Sequence, residues 1–234
     1  MKILLKRLQQ YGVWRFIRFS LAELKLRLIH RLLLGSYSQK KEDLVLDRLT
    51  GRKKSGFYVD IGAYDPGWFS NTLRFYKRGW RGINIEPDTT HWMRFQDQRP
   101  RDTNLNLGAG TKRGNMTFYR MDPPTLSTFS KERAEESAKE GFTIEAAIPV
   151  SILPLKDIFS RHARGKIIDF LSLDVEGMEM DVLRSNNWRT FRPRFLCIEM
   201  SSGRQQTLMV YLEKLGYAFV SDNGLNAFYK DAHG

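Results

Sequence analysis

The chain has 234 residues, enough for one α/β domain with an extension, and its formal net charge is +12. The charge is unevenly placed, because the first 50 residues hold eleven Lys or Arg against four Asp or Glu. The single cysteine, Cys197, excludes an intrachain disulfide and is typical of a reducing compartment. No spacing of this cysteine and the four histidines matches a zinc site. We therefore expect a cytoplasmic protein.

The N-terminal segment, residues 1–34, mixes basic residues with apolar residues at helical spacing, among them Trp14, Leu21 and Leu28. Its apolar runs are too short for a membrane-spanning helix or a signal peptide. We predict a basic amphipathic helical extension over residues 1–50. It either lies on an anionic membrane surface, which would make the protein peripheral on the inner face of the membrane, or packs on its own domain or a partner subunit.

Residues 51–234 alternate between strand-like and helix-like segments. This alternation predicts one domain with a mostly parallel sheet covered by helices on both faces, closed by a hairpin-like pair of strands. A charged helix over residues 131–140 is predicted as a solvated lid or insertion, and residues 148–153 as an edge strand. The main predicted strands cover residues 57–61, 82–86, 103–107, 167–174 and 195–199, and the final pair covers residues 217–220 and 227–229.

The first strand leads into a turn that has the outline of a nucleotide-binding loop. The strand stops at Gly62, and Ser70 and Asn71 open the following helix. A pyrophosphate-binding turn has the pattern G-x-G-x-x-G and free backbone amides. Here Tyr64 occupies the position of the second glycine, and Pro66 removes an amide donor. The turn therefore predicts a cofactor without a pyrophosphate, such as S-adenosylmethionine, rather than a dinucleotide.

Polar residues lie at the ends of several predicted strands, where open α/β sheets bind their ligands. Asp60 is near the end of the first strand and Glu86 ends the second, Asn106 is near the end of the third, and Asp174 ends the most hydrophobic one. Glu86 follows Gly62 by 24 positions. This is close to the roughly 20-residue spacing at which a carboxylate meets the ribose hydroxyls in dinucleotide folds. The set predicts a nucleotide-like cofactor pocket.

Four stretches in this order, FYVDIGAYDPGWFSNT, GWRGINIEP, NLNLGAG and FLSLDVEGMEMDVLRSNNW, resemble the FkbM family of S-adenosylmethionine-dependent methyltransferases. The resemblance covers residues 57–199. It implies a Rossmann-like class I methyltransferase fold that methylates hydroxyl oxygens, often of sugars or polyketide-type natural products. Mapped onto this chain, the cofactor-binding residues are Asp60, Gly62, Tyr64, Ser70 and Asn71 around the first turn, Glu86 at the ribose, Asn106 at the adenine edge, and Gly108.

The D-x-E-G part of the resemblance contains Asp174 and Glu176, our candidate catalytic residues. A carboxylate there can act as the general base for a hydroxyl group, or can hold a divalent cation such as Mg²⁺ together with Glu199. In a third interpretation, Glu176 caps the following helix. Family members often have a polar residue where this chain has Met178, so we assign no role to that position.

The expected acceptor is a hydroxylated small molecule, a glycan or a glycolipid, and the sequence predicts neither its identity nor the oligomeric state. The alternatives are an RNA methyltransferase and a non-catalytic, membrane-associated scaffold with a methyltransferase fold. A nucleic acid partner is not expected, because most of the excess positive charge lies in an apolar-rich segment that is poorly suited to a solvated phosphate-binding arm.

Overall fold

A computed structural model describes residues 35–200 and 205–233 of the chain. Strands and helices alternate through most of it, as predicted. The helices are α1 (Glu42–Leu49), α2 (Leu73–Arg78), α3 (Thr89–Gln98), α4 (Lys131–Lys139), α5 (Leu155–His162), α6 (Glu179–Arg184) and α7 (Gln205–Lys214). The strands are β1 (Phe57–Ile61), β2 (Arg81–Ile85), β3 (Thr103–Leu105), β4 (Gly108–Ala109), β5 (Gly114–Asp122), β6 (Thr143–Leu153), β7 (Phe170–Leu173), β8 (Phe195–Glu199), β9 (Tyr217–Asp222) and β10 (Asn226–Asp231).

The main sheet has seven strands in the order β3-β2-β1-β7-β8-β10-β9. The first five of these are parallel to one another, whereas β10 is antiparallel to both of its neighbours. The expected Rossmann-like α/β sheet, closed by an antiparallel pair of strands, is therefore confirmed. Its strand order places the carboxyl ends of β1, β2, β7 and β8 along one edge.

The central strands are buried on both faces, which is why their sequences are continuous apolar runs. Alternate residues of β1 point to opposite faces, so Tyr58 and Val59 belong to two separate apolar clusters. Helices α1 and α2 cover the face of Tyr58, while α5, α6 and α7 cover the face of Val59. Both faces of the sheet are thus packed against helices, as predicted.

Helix α1 is part of the packed domain. Its Leu46 is fully buried in one apolar cluster with Tyr58, Phe75 and Trp80. The predicted division between residues 50 and 51 therefore does not coincide with the edge of the packed body, which begins before α1. The amphipathic pattern predicted for residues 1–34 lies outside the described residues.

A second, three-stranded sheet has the order β4-β6-β5. The prediction of an edge strand at residues 148–153 is wrong, because β6 is the central strand of this sheet. The short strand β4 pairs in parallel with Ile152 and Leu153 of β6. The helix predicted near residues 131–140 is α4, which connects β5 to β6.

Within the described part of the chain, none of the helices combines the length and the apolar character that crossing a membrane requires.

Candidate active site

A cavity of about 360 Å³ opens at the carboxyl ends of β1, β2, β7 and β8. Its size is within the usual range for small-molecule sites. Most of the residues predicted for the site contribute to its lining. These are Asp60, Gly62, Tyr64, Asn71, Glu86, Gly108, Asp174, Glu176 and Glu199.

Gly62 connects the turn after β1 to the loop after β7. Its φ of 74° is in the left-handed region that favours glycine, and its amide donates to the carbonyl of Ile85 over 3.0 Å. A Cβ atom at this position would overlap the main-chain oxygen of Asp174. The glycine is therefore required both by its backbone conformation and by this close approach.

Asp60 is buried at the end of β1, where its Oδ2 accepts a hydrogen bond from the hydroxyl of Thr72 over 2.8 Å. Burial raises the pKa of this carboxyl to about 6, although hydrogen bonds from Thr72 and Ser172 oppose the shift. The amide group of Asn71 donates to the hydroxyl of Ser172 over 3.0 Å. These contacts hold Asp60 and Asn71 side by side at the cavity wall.

Glu86 bridges the two turns that follow β1 and β2. Its Oε2 accepts from the amide of Tyr64 over 2.7 Å, and its Oε1 accepts from the amide of Asp88 over 2.8 Å. Burial raises the pKa of Glu86 to about 8, against the effect of these two bonds. Each carboxylate oxygen keeps an acceptor site, so the group suits a vicinal diol.

His91 of α3 also lines the cavity, although it is not among the site residues predicted from the sequence. Its ring lies 4.6 Å from the ring of Tyr64, and burial lowers the pKa of the imidazole. The Nδ1 atom is buried and has no hydrogen-bond partner among the described residues. No sequence motif marks this histidine, because its position depends on where α3 begins, at the Asp88 cap.

Two predicted cofactor-binding residues lie outside the cavity lining. Asn106 donates from Nδ2 to the carbonyls of Glu86 and Pro87, both over 3.0 Å, and so supports the turn after β2 from outside. Ser70 is buried, and its hydroxyl accepts from Nη2 of Arg99 over 3.0 Å. The structure therefore places both residues behind the cavity wall.

Gly108 lies in the apolar part of the lining. A Cβ atom there would come within 2.6 Å of side-chain atoms of both Phe129 and Ile152. Phe118 packs on Phe129 with ring centroids 4.9 Å apart, and both rings line the cavity. Gly108 thus allows this aromatic wall to approach β4.

The candidate catalytic carboxylates form a cluster. Asp174, Glu176 and Glu199 each offer a carboxylate oxygen within 4.8 Å of the other two. Burial, together with repulsion by Glu199 and Glu176, holds the pKa of Asp174 well above its usual range. Burial and repulsion by Glu176 and Glu179 likewise raise the pKa of Glu199 to about 8. At neutral pH the cluster therefore retains protons that isolated carboxyls would release.

Glu176 does not cap the following helix. Its φ is 51°, and its Oε2 accepts from Nη2 of Arg133 over 3.1 Å. The amide of Gly177 instead donates to Oε1 of Glu179 over 3.0 Å. Burial raises the pKa of Glu176, and the Arg133 guanidinium opposes that rise. Arg133 thus ties helix α4 to the carboxylate cluster.

Residues of the predicted N-terminal extension also reach the cavity. Gln39 and Glu42 both line it. The Oε1 atom of Glu42 accepts from the side-chain amides of Asn223 and Asn226 over 2.8 Å and 3.0 Å. No local sequence pattern predicts that Gln39 and Glu42 line the cavity, because the contacts of Glu42 join residues near the two ends of the described chain.

The family model for the methyltransferase FkbM domain matches residues 60–219. Among solved structures, the METTL16 methyltransferase domain is 11% identical, covers 86% of this chain and 74% of its own, and has a TM-score of 0.47. A methyltransferase from Geobacter sulfurreducens is 14% identical, covers 88% of each chain and has a TM-score of 0.45. The C-terminal domain of precorrin-6Y C5,15-methyltransferase from Rhodobacter capsulatus is 11% identical, covers 81% of this chain and 86% of its own, and has a TM-score of 0.41.

No curated protein matches the chain. The family match, in contrast, spans more than half of the chain and includes the turn after β1, the glutamate after β2 and the carboxylate cluster. The chain therefore belongs to the FkbM family of S-adenosylmethionine-dependent methyltransferases.

Proposed function

We propose that the protein transfers a methyl group to a hydroxyl oxygen of a glycan, a glycolipid or a natural-product acceptor. The observation that carries this proposal is the cluster of Asp174, Glu176 and Glu199 beside the cofactor turn. Methylation of an alcohol requires removal of one proton, and a buried carboxylate with a raised pKa is a suitable acceptor for it.

The residues of the cavity fit S-adenosylmethionine, which supplies an electrophilic methyl group when bound. Glu86 has the acceptor sites that a ribose diol needs. The amides of Gly62, Ala63 and Tyr64 all donate within the protein, so they are not available to the methionine carboxylate of the ligand. The side chain of Asn71, which lines the cavity beside the turn, would hold this end instead.

In the proposed mechanism, the carboxylate cluster accepts the proton of the acceptor hydroxyl. A carboxylate oxygen of Asp174 lies within 4.8 Å of one of Glu199, and burial and the charges of neighbouring carboxylates raise the pKa of both groups, so we treat the two as a pair that shares charge and proton. Arg133 neutralises part of the charge on Glu176 and keeps this side chain at the rim of the pair. The acceptor oxygen thereby loses its proton as it becomes the nucleophile.

A divalent cation is the second way in which this cluster can serve the reaction. Carboxylate oxygens are the ligands that Mg²⁺ prefers, and a bound cation lowers the pKa of a coordinated hydroxyl. We propose Asp174, Glu176 and Glu199 as its ligands. Assays with and without EDTA separate the two mechanisms: activity that survives chelation excludes the cation, and activity restored by Mg²⁺ supports it.

Calorimetric titration with S-adenosylmethionine and with NAD tests the cofactor site. We expect micromolar binding of S-adenosylmethionine and none of NAD. Glu86→Ala should weaken binding at least about tenfold, since it removes the hydrogen bonds that the Glu86 side chain would accept from the ribose diol. Glu213→Ala, at an exposed glutamate of α7, is the matched control. Tight NAD binding would contradict our interpretation of the first turn.

The pH dependence of methyl transfer tests the carboxylate pair. The rate should rise with pH to a midpoint of about 8, where Glu199 loses its proton. Glu199→Gln removes the repulsion that raises the pKa of Asp174, so the rising limb should move to lower pH. If the rising limb of the pH–rate profile does not shift, Asp174 and Glu199 do not act as the base.

We also propose that residues 1–34 bind an anionic membrane surface, because basic and apolar side chains alternate there at helical spacing. Deletion of these residues should weaken binding to anionic liposomes and leave cofactor affinity unchanged. If the full-length and truncated proteins bind liposomes equally, this role is excluded.

A further inference from the structure

The edge of the main sheet opposite the cavity is strongly basic. The amino ends of β1, β2, β7 and β8 lie at this edge, and the antiparallel β10 ends there. A basic residue lies within four residues of each of these strand ends. The exposed members of this set, which we call the basic edge, are Lys53, Lys54, Arg81, Lys166, Arg194 and Lys230.

Contacts between neighbouring strands make the basic edge continuous. Lys53 Nζ lies 2.6 Å and Arg194 Nη1 3.7 Å from the same Oδ1 atom of Asp169. One buried carboxylate thus faces two cations, so positive charge remains in excess. Lys166 Nζ lies 4.3 Å from the ring centroid of Phe57, and Lys230 is paired in register with Phe195.

An exposed aliphatic side chain lies within this positive surface. Ile167 is 63% exposed and directly follows Lys166. The carbonyl of the next residue, Ile168, accepts from the amide of Arg194 over 2.9 Å, which places Ile167 close to Arg194. Basic side chains around an exposed aliphatic group suit the interface of an anionic bilayer, where the cations meet head groups and the apolar group meets acyl chains.

The segment outside the described residues has the same character. Residues 1–34 are basic and carry Trp14 among other apolar residues. They join the domain at Gly35, whose carbonyl accepts from Nη1 of Arg74 over 3.0 Å. The chain then runs past Gln39 and Glu42 at the cavity and through α1 to Lys53 at the basic edge.

We propose that the basic edge of the folded domain, with Ile167 at its centre, docks on the surface of an anionic lipid bilayer. This inference is independent of the proposed reaction. The five residues of β1 separate the basic edge from the cavity, a distance of roughly 16 Å at 3.3 Å per residue. The docked domain would therefore turn the mouth of its cavity away from the lipid surface.

Cosedimentation of the full-length protein with vesicles tests the proposal, using phosphatidylcholine with or without phosphatidylglycerol. The triple variant Lys54→Gln, Arg81→Gln, Lys230→Gln should lose about 100-fold in affinity for the anionic vesicles, since each Lys or Arg near such a surface contributes roughly fivefold. The matched control neutralises three exposed lysines elsewhere, Lys112→Gln, Lys131→Gln and Lys139→Gln. It should bind within about twofold of the unmodified protein, since these side chains lie far from the surface.

A second pair of variants tests the apolar contact. Ile167→Ser should weaken vesicle binding about tenfold, in line with the transfer free energy of an aliphatic side chain. Met93→Ser changes a side chain of similar exposure, 59%, on helix α3 and should have no effect.

Calorimetric titration of every variant with S-adenosylmethionine shows that the fold and the cofactor site are intact. If the triple variant binds anionic vesicles as well as the unmodified protein does, the basic edge does not contact lipid. If it loses binding to single-stranded RNA but not to vesicles, the face is a nucleic-acid site and the proposal is wrong.

Discussion

Gly62 and Gly51 allow the cost of a left-handed backbone conformation to be compared with the cost of a steric overlap. Both have a positive φ, 74° and 66°, but only Gly62 is closely approached by another part of the chain. The described residues place no atom within 4 Å of a Cβ at Gly51. The two positions therefore separate the cost of backbone conformation from the cost of overlap with Asp174.

We predict that Gly51→Ala lowers the free energy of unfolding by about 1 kcal/mol, the usual cost of a left-handed alanine. Gly62→Ala should cost about 3 kcal/mol or more, because the loop after β7 must also move. Urea denaturation of both variants measures the difference. Equal losses would show that the loop yields easily and that the close approach is not a constraint.

The site residues that could be predicted from the sequence are those at strand ends. Asp60 and Glu86 follow apolar runs whose direction and length are readable, so their meeting at one edge could be expected. Ser70 was predicted to bind the cofactor, but its hydroxyl accepts from the fully buried Arg99 instead. The guanidinium of Arg99 also donates to the carbonyl of Pro66 over 2.6 Å. Long-range contacts of this kind leave no local pattern.

Helix α1 was assigned by sequence to the N-terminal extension, but in the structure it is packed within the domain. Its first turn reaches the cavity through Glu42, and its Leu46 is buried among aromatic rings. The sequence prediction assigned these residues to the basic N-terminal extension. It did so because the distribution of charge along the chain does not show which residues pack against the sheet.

We predict that Leu46→Ala lowers the free energy of unfolding by about 3 kcal/mol, as expected for a large-to-small change in a core. Arg48→Ala, at an exposed position on the same helix, should change it by less than about 0.5 kcal/mol. Thermal unfolding with a single transition in both variants would confirm that α1 unfolds with the sheet. A small loss for Leu46→Ala would contradict this.

The limits of the strands could be predicted from the sequence more closely than the order of the strands within each sheet. β1 and β8 have the predicted limits, whereas β7 starts three residues later than its apolar run. Asp169, inside that run, uses its side chain to accept from the amide of Phe57 over 3.0 Å. The central place of β6 also escaped prediction, because it depends on pairing with β4, whose two residues are too few to carry a pattern.

The molecule as a whole carries several acids that resist ionisation. The pKa of Glu86 and that of Glu199 are both about 8, against 4.5 for an ordinary glutamate. Between these pH values the unfolded chain releases protons that the folded protein still holds. The unfolded state therefore becomes relatively more favourable as pH rises through this range.

We predict that the melting temperature of the ligand-free protein falls as pH rises from about 4.5 towards 8. Glu199→Gln should make this dependence shallower, because one of the contributing groups is gone. Asp231→Asn should not change the slope in this range, since its pairing with Arg192 keeps the pKa of Asp231 below its ordinary 3.8. Calorimetric melts over this pH range measure the slopes, and a rising melting temperature would contradict the prediction.

The close approach of Gly62 to Asp174 affects the temperature at which the enzyme should lose its activity. The turn after β1 and the loop after β7 touch main chain to main chain, so neither can move without displacing the other. Methyl transfer tolerates little misalignment, since displacements of about 1 Å can be costly. The catalytic alignment should thus persist until the sheet itself melts, and turnover should end at the unfolding temperature rather than fade well below it.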